Sequence, residues 1–167
     1  GTHRPQTEEE LIRLVSPRVL ARVRVVNHEA DKPLVNLGVT SYGTEVLLNP
    51  LTVGRKVILM GGTVHHLLAG YGGGRKSLVP GVAGEKTIRQ NHIHALHPTE
   101  PRSSDAVGCG RVLGNPVHLD MMEAAEMVAP AFGINLVVDG HGDHIALPCG
   151  DYALAWEESC RLVDRFN

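Results

Sequence analysis

The residues best equipped to do chemistry fall in one run, His65-His66-Leu67-Leu68-Ala69-Gly70-Tyr71-Gly72-Gly73-Gly74-Arg75-Lys76-Ser77. Glycines let backbone N–H groups converge on an anion, and Arg75 and Lys76 add positive charge beside them. Lys76 has a second use. Partial burial lowers the pKa of an ammonium and turns the amine into a nucleophile, so covalent attachment of a carbonyl-like or thioacyl-like group is reasonable chemistry here. The plainer reading is a flexible connector whose glycines only make a tight turn. The run is not a nucleoside-triphosphatase loop, because G-x-x-x-x-G-K-[ST] requires glycine before its lysine and Arg75 stands there.

The histidines are the other candidates. His92 is spaced by four from Ile88 and Leu96 on one helix face, where a core histidine with satisfied ring nitrogens is the simpler reading, although imidazole is a common ligand for nickel, copper and zinc. In the pair His65-His66 neighbouring side chains diverge, so only one can face a pocket, as a general acid or base or as an exposed histidine. His3, in Gly1-Thr2-His3-Arg4-Pro5, reads as a ligand, a proton-transfer group or a plain terminal residue. Asp139-Gly140-His141-Gly142-Asp143-His144 is rich in turn formers and reads as a hairpin turn rather than a metal cluster. His28, His94, His97 and His118 match no zinc-ligand spacing and read as structural or surface residues, which leaves a zinc site without support.

The elements that must position these groups alternate along the chain. Thr7-Glu8-Glu9-Glu10 has the form of a capping box and predicts a helix from Thr7, with Leu11, Leu14 and Val15 at helical spacing. β-leaning segments follow at 24–27, 34–40 and 45–48, the last two joined by a turn of hairpin length. The apolar run 56–62 ends in glycines and reads as a buried strand of a parallel sheet, whose C-terminal end is where α/β folds bind ligands; Lys76 is expected near it. Helices are predicted over 85–96, from Asn115-Pro116 to about 128, and from Asp151 to about 166, with strands at 134–138 and 144–147. The whole predicts one layered, Rossmann-like α/β domain over 1–167, with a mostly parallel sheet and a small antiparallel excursion.

Composition narrows the class. At 167 residues and 43% hydrophobic content, one domain with a substantial core is expected. Sixteen Lys and Arg nearly balance eighteen Asp and Glu with no basic concentration, so nucleic acid is not an expected partner. No apolar run approaches the roughly 20 residues of a membrane span. Cys109, Cys149 and Cys160 form neither a disulfide framework nor a metal clip, which suits a reducing cytoplasm. The opening without an initiator Met reads as a cut piece of a longer chain.

Taken together, Gly1-Thr2-His3-Arg4-Pro5, His66-x-x-Ala69-Gly70-Tyr71-x-Gly73-Gly74-x-Lys76, Pro80-Gly81-Val82-Ala83-Gly84 and Asn91-His92 resemble the lactate racemase family in order and spacing. Leu113-Gly114-Asn115-Pro116-Val117, Met121-Glu123-Ala124-Ala125 and the helix after Gly150-Asp151 extend the resemblance over essentially the whole chain. Characterised members use nickel held by a modified pyridinium mononucleotide, the nickel-pincer nucleotide, tethered to a lysine through a thioamide. The resemblance implies that Lys76 is that lysine, with Gly73 and Gly74 at the cofactor, that His92 is the nickel ligand rather than a core histidine, and that His66 and His3 exchange protons with the hydroxyl of a 2-hydroxy acid. It implies racemisation or epimerisation through a planar 2-keto acid.

Departures qualify the expectation. The family's preceding segment, with an Asp-x-Thr-Arg phosphate-binding motif, and its later domain are absent, so this stretch is the central and C-terminal part of the N-terminal catalytic domain. Alone it is expected to be inactive, to lack cofactor, and to leave apolar surface open to self-association. His65 and Arg75 stand where many relatives carry other residues. The rival expectation is a module that binds a nucleotide or phosphate through the glycine loop without turnover.

Overall fold

In a computed structural model describing residues 1–167, the capping box forms as its sequence predicts. Thr7 Oγ1 accepts from the Glu10 amide and the Glu10 carboxylate accepts from the Thr7 amide, opening α1 (Glu8–Leu20). The helix breaks at Ser16 (φ 70°) ahead of Pro17, and none of its residues is buried, so Leu14 stays in solvent. Residues 24–27, expected as a strand, run as irregular chain. There the Asn27 side chain takes the place of a ladder partner, bonding both the N–H and the C=O of Gln6 at 3.0 Å.

The predicted hairpin is present as antiparallel β1 (Val35–Val39) and β2 (Glu45–Leu48). Next come β3 (Ile58–Thr63) and a two-residue antiparallel ribbon, β4 (His65–His66) with β5 (Gly70–Tyr71). A 3-10 turn over Gly74–Ser77 then leads to α2 (Glu85–Ile93), shorter than its pattern suggested. Asn115 caps α3 (Pro116–Val128), its Oδ1 accepting from the Val117 and His118 amides. β6 (Phe132–Val138), β7 (His144–Ala146) and β8 (Cys149–Gly150) precede α4 (Tyr152–Phe166), which Asp151 caps. Asp139 Oδ1 accepts from the His141 and Asp143 amides, so the 139–143 segment is the turn its composition predicts.

β3 pairs with β6 in parallel from Ile58↔Phe132 to Thr63↔Val137, and β7 and β8 both add antiparallel to the other edge of β6. The fold is thus the expected layered α/β class. Strand alternation decides what is covered: Leu59 and Thr63 of β3 and Gly133, Asn135 and Val137 of β6 are buried. The opposite face is open. Ile58 (57% exposed) and Met60 (67%) lie in register with Phe132 and Ile134, so the strand expected to be buried throughout is buried on one side.

Three clusters make the core. Val46, Leu48, Val79, Val117 and Met121 tie the hairpin to α2, α3 and the segment after Lys76. Tyr71, Val137, Trp156, Cys160 and Val163 bind α4 to the sheet, and Leu59, Leu78 and Ala125 join β3 to α3. Each fully buried aliphatic side chain stabilises by about 1.5–3 kcal/mol. No helix is long and apolar enough to cross a membrane.

Candidate functional site

The glycine run is pinned, not loose. Gly72 N donates to Val64 O (2.8 Å), Gly74 N to Asn135 Oδ1 (3.1 Å) and Lys76 N to Gly73 O (3.1 Å), while Trp156 Nε1 donates to Gly72 O (2.8 Å). At Gly73 (φ 70°) a Cβ would meet Thr63 Oγ1 at 2.5 Å, and at Gly74 (φ 51°) the Trp156 ring at 2.7 Å. Glycine is therefore required at both positions, by conformation and by space. These contacts press the loop against Thr63 at the C-terminal end of β3. The amides of Gly72, Gly74 and Lys76 are thus spent within the chain.

Arg75 and Lys76 part company at this point. Arg75 is 1% exposed, donates to Ala69 O (2.7 Å) and Gly72 O (3.4 Å), and stacks 3.9 Å over the Trp156 ring; no carboxylate faces it. Burial pulls its pKa down to about 9, so the guanidinium is still charged at neutral pH. Lys76, half-buried next to it, is lowered to about 8, first by burial and then by the Arg75 charge. About a tenth of a lysine with that pKa is free amine at pH 7, several hundred times more than in an ordinary lysine.

His92 and His66 present opposite nitrogens. His92 Nδ1 lies 2.8 Å from the Ile88 carbonyl, which only accepts, so Nδ1 carries the proton and Nε2 keeps a free lone pair. His66 Nδ1 lies 3.1 Å from the amides of both Leu68 and Ala69, which only donate. Burial, then the charges of Lys76, His92 and Arg75, lower His66 to about 4, which places the three groups within electrostatic reach of it. His65 diverges as expected, toward Asp164 (3.1 Å) and away from this cluster.

His3 is exposed and lines a cavity of about 400 Å³ with Gly1, Glu29, Asp31 and Glu85; His66, Lys76 and His92 do not line it. Its segment is nevertheless tied to the lysine turn, since Gly1 N donates to Gly81 O and Gly81 N donates to Lys76 O (3.0 Å).

Sequence reasoning missed two supports. Asp120, 1% exposed, accepts from Thr40 Oγ1 (2.5 Å), Thr44 Oγ1 (2.8 Å) and Asn91 Nδ2 (2.8 Å), clamping α2 beside His92 to α3 and the hairpin. His118, read as structural or surface, is 8% exposed and stacks on Trp156 (ring centroids 5.1 Å apart) with Nδ1 unpartnered. Burial and the Arg75 charge lower it to about 4. A neutral native histidine that is protonated when unfolded stabilises fully above pH 6.5 and loses that contribution as pH falls toward 4. From pH 7 to pH 5 we expect a stability loss on the order of 2 kcal/mol from His118, with half-buried His66 adding to it in the same direction. Urea denaturation at the two pH values checks this; an unchanged midpoint for wild type counts against neutral burial.

The fold and loop together define an α/β domain with a half-buried lysine on a glycine loop pinned against the end of β3. A family model for the lactate racemase N-terminal domain matches residues 1–104, and the chain belongs to that family. It is 32% identical over its full length to the lactate racemase of Lactiplantibacillus plantarum and 27% identical over 98% of its length to that of Thermoanaerobacterium thermosaccharolyticum. The chain spans 39% and 38% of the lengths of these relatives. The solved lactate racemase apoprotein of T. thermosaccharolyticum superposes with a TM-score of 0.90 at 26% identity, over 99% of this chain and 39% of that one. A Thermotoga maritima protein shares the fold at 22% identity, with a TM-score of 0.72 over 99% of this chain and 45% of that one.

Proposed function

We propose that the whole protein racemises or epimerises a small 2-hydroxy acid, lactate or a close analogue, with a lysine-tethered nickel-pincer nucleotide. One observation carries this reading: Lys76, its pKa lowered to about 8 by burial and the Arg75 charge, stands on a pinned loop, and His92 keeps its Nε2 lone pair open because Nδ1 is committed to Ile88. The residues fit such a group. No cluster of three or more His, Cys, Asp or Glu side chains could hold a metal unaided, so the ion's other ligands would come from the organic cofactor. Lys76 would hold the cofactor covalently, Gly73 and Gly74 would admit it closely, and His92 would ligate nickel. When bound, such a group supplies a hydride acceptor.

The chain's own part is proton handling and orientation. His66 and His3 are the proposed groups at the substrate hydroxyl, and the remainder of the longer polypeptide would complete the site around them. That remainder also has a place to pack, the open apolar face of β3 and β6. The 167 residues alone are then inactive and prone to self-association. The three free cysteines suit a cytoplasmic enzyme.

The test is to produce the full-length protein with the cofactor-maturation proteins and measure intact mass and nickel. Wild type should carry a mass adduct and nickel, Lys76→Ala neither, and His92→Ala the adduct with nickel lost. An unmodified, nickel-free wild type would favour a phosphate- or nucleotide-binding module instead.

A further inference from the structure

We infer that Asn115 is a positioning residue for His66, acting on the imidazole through a single peptide unit. The Leu68–Ala69 peptide is trans, so its C=O and N–H point in opposite directions from one rigid plane. Asn115 Nδ2 donates to Leu68 O at one end (2.8 Å), and Ala69 N donates to His66 Nδ1 at the other (3.1 Å). Whatever turns that plane moves both bonds together. The ring is thus oriented by a side chain 47 residues beyond Leu68.

Asn115 is itself held still. It is fully buried, and its amide group has no capacity left over: Nδ2 donates to Leu68 O and Arg111 O (both 2.8 Å), while Oδ1 accepts from Val117 N (3.0 Å) and His118 N (3.3 Å) at the start of α3. A reversed amide would set an oxygen against two carbonyls and an NH2 against two N–H groups, so the network fixes which atom is which. The two ends of the side chain do different work. Any good cap could start the helix, but among the good caps only asparagine carries two donors beside its acceptor, and those donors reach out of α3 to the His66 turn. The rest of the turn is confined as well. Ala69 O accepts from the buried Arg75 guanidinium (2.7 Å), and Gly70 (φ 77°) packs so closely on the Arg111 carbonyl that a Cβ there would lie 2.9 Å from its carbon. With its neighbours fixed, the Leu68–Ala69 plane takes its tilt from Asn115.

That His66 meets a substrate hydroxyl rests on the function proposed above; the bond path from Asn115 does not. With Nδ1 held by the Leu68 and Ala69 amides, the ring turns its Nε2 edge away from the turn, and the direction in which that nitrogen exchanges a proton is set before substrate arrives. Proton transfer depends steeply on such alignment. Asn115 acts only through His66, so its loss should slow turnover rather than weaken the hold on substrate or nickel.

Amide hydrogen exchange on the full-length protein without cofactor tests the bond path. Asn115→Asp and Asn115→Ser both keep a cap oxygen for α3 but lack the NH2. In each, the Leu68 and Ala69 amides should exchange at least about fivefold faster, while the amides of 119–125 stay as protected as in wild type. Unchanged exchange at 68–69 overturns the inference. Equal deprotection of both regions in both variants makes Asn115 a helix cap and nothing more, and overturns it too. Turnover by the cofactor-loaded enzyme gives the second arm. Per bound nickel, Asn115→Asp should lower kcat about 10–100-fold, the range for a lost support behind an active-site group, with KM nearly unchanged. Full kcat per nickel in a variant that has lost protection at 68–69 overturns the positioning role. A wild type in which Asn115 protects the turn but which turns over no 2-hydroxy acid overturns the proposed substrate and leaves the bond path standing.

Discussion

Gly81→Ala should destabilise the protein by about 3 kcal/mol or more and lower its melting temperature by roughly 6–12 °C. A Cβ on Gly81 would lie 2.6 Å from the Ser77 carbonyl carbon and 2.9 Å from Lys76 O. These are backbone atoms of the turn that carries the lysine, so no side-chain rotation relieves the clash. The Gly81 N–H bond to Lys76 O and the Gly1 N–H bond to Gly81 O would be strained together, loosening the lysine turn and the segment bearing His3 in one step. Thermal melting of the full-length variant checks this, and a shift below about 2 °C would show that the turn yields easily.

Asp120→Ala should cost about 3–5 kcal/mol, because two buried hydroxyls and a buried amide lose their acceptor together. Asn91 is the sensitive partner. It is fully buried, its Oδ1 has no hydrogen-bond partner, and its Nδ2 would be left with Val117 O (3.1 Å) alone. Its neighbour in α2 is His92, so the ring's hold on Ile88 O and the aim of Nε2 depend on the same clamp. Asp120→Asn should cost less, about 1–2 kcal/mol, since one oxygen still accepts. Urea denaturation separates the two variants; equal, small losses would mean that water replaces the carboxylate. With cofactor present, nickel retention by Asp120→Ala should weaken about 10–100-fold, as for other lost supports of a ligand.

What was legible in the sequence was local. Thr7, Asn115-Pro116 and Asp151 announce helix starts because a cap satisfies amides only two or three residues away, and those starts fall where their spacing puts them. The 35–48 hairpin and the 139–143 turn follow from the same short-range chemistry. The glycine-lysine run drew attention, but composition alone could not separate a rigid loop from a connector; that depended on Trp156, about 80 residues away. The buried state of Arg75, the stacking of His118 and the Asp120 clamp are likewise set by partners distant in the chain. A lone tryptophan in the last helix was the one visible signal for them. Residues 24–27 and the outer face of β3 misled for a shared reason: an apolar or β-branched run reports propensity, whereas pairing and coverage depend on what else is present.

That same tryptophan gives the molecule an optical handle. Trp156 is the only indole in these 167 residues; it carries a guanidinium on its face and a glycine carbonyl on its N–H. In a longer polypeptide without further tryptophans, its emission would report on one place, the underside of the loop that presents Lys76. Acylating the lysine, or drawing Gly72 and Gly73 toward a ligand, would disturb the cation and the carbonyl that set the wavelength and quenching of that emission. Occupancy of the loop could then be followed continuously in solution, with no label and no turnover.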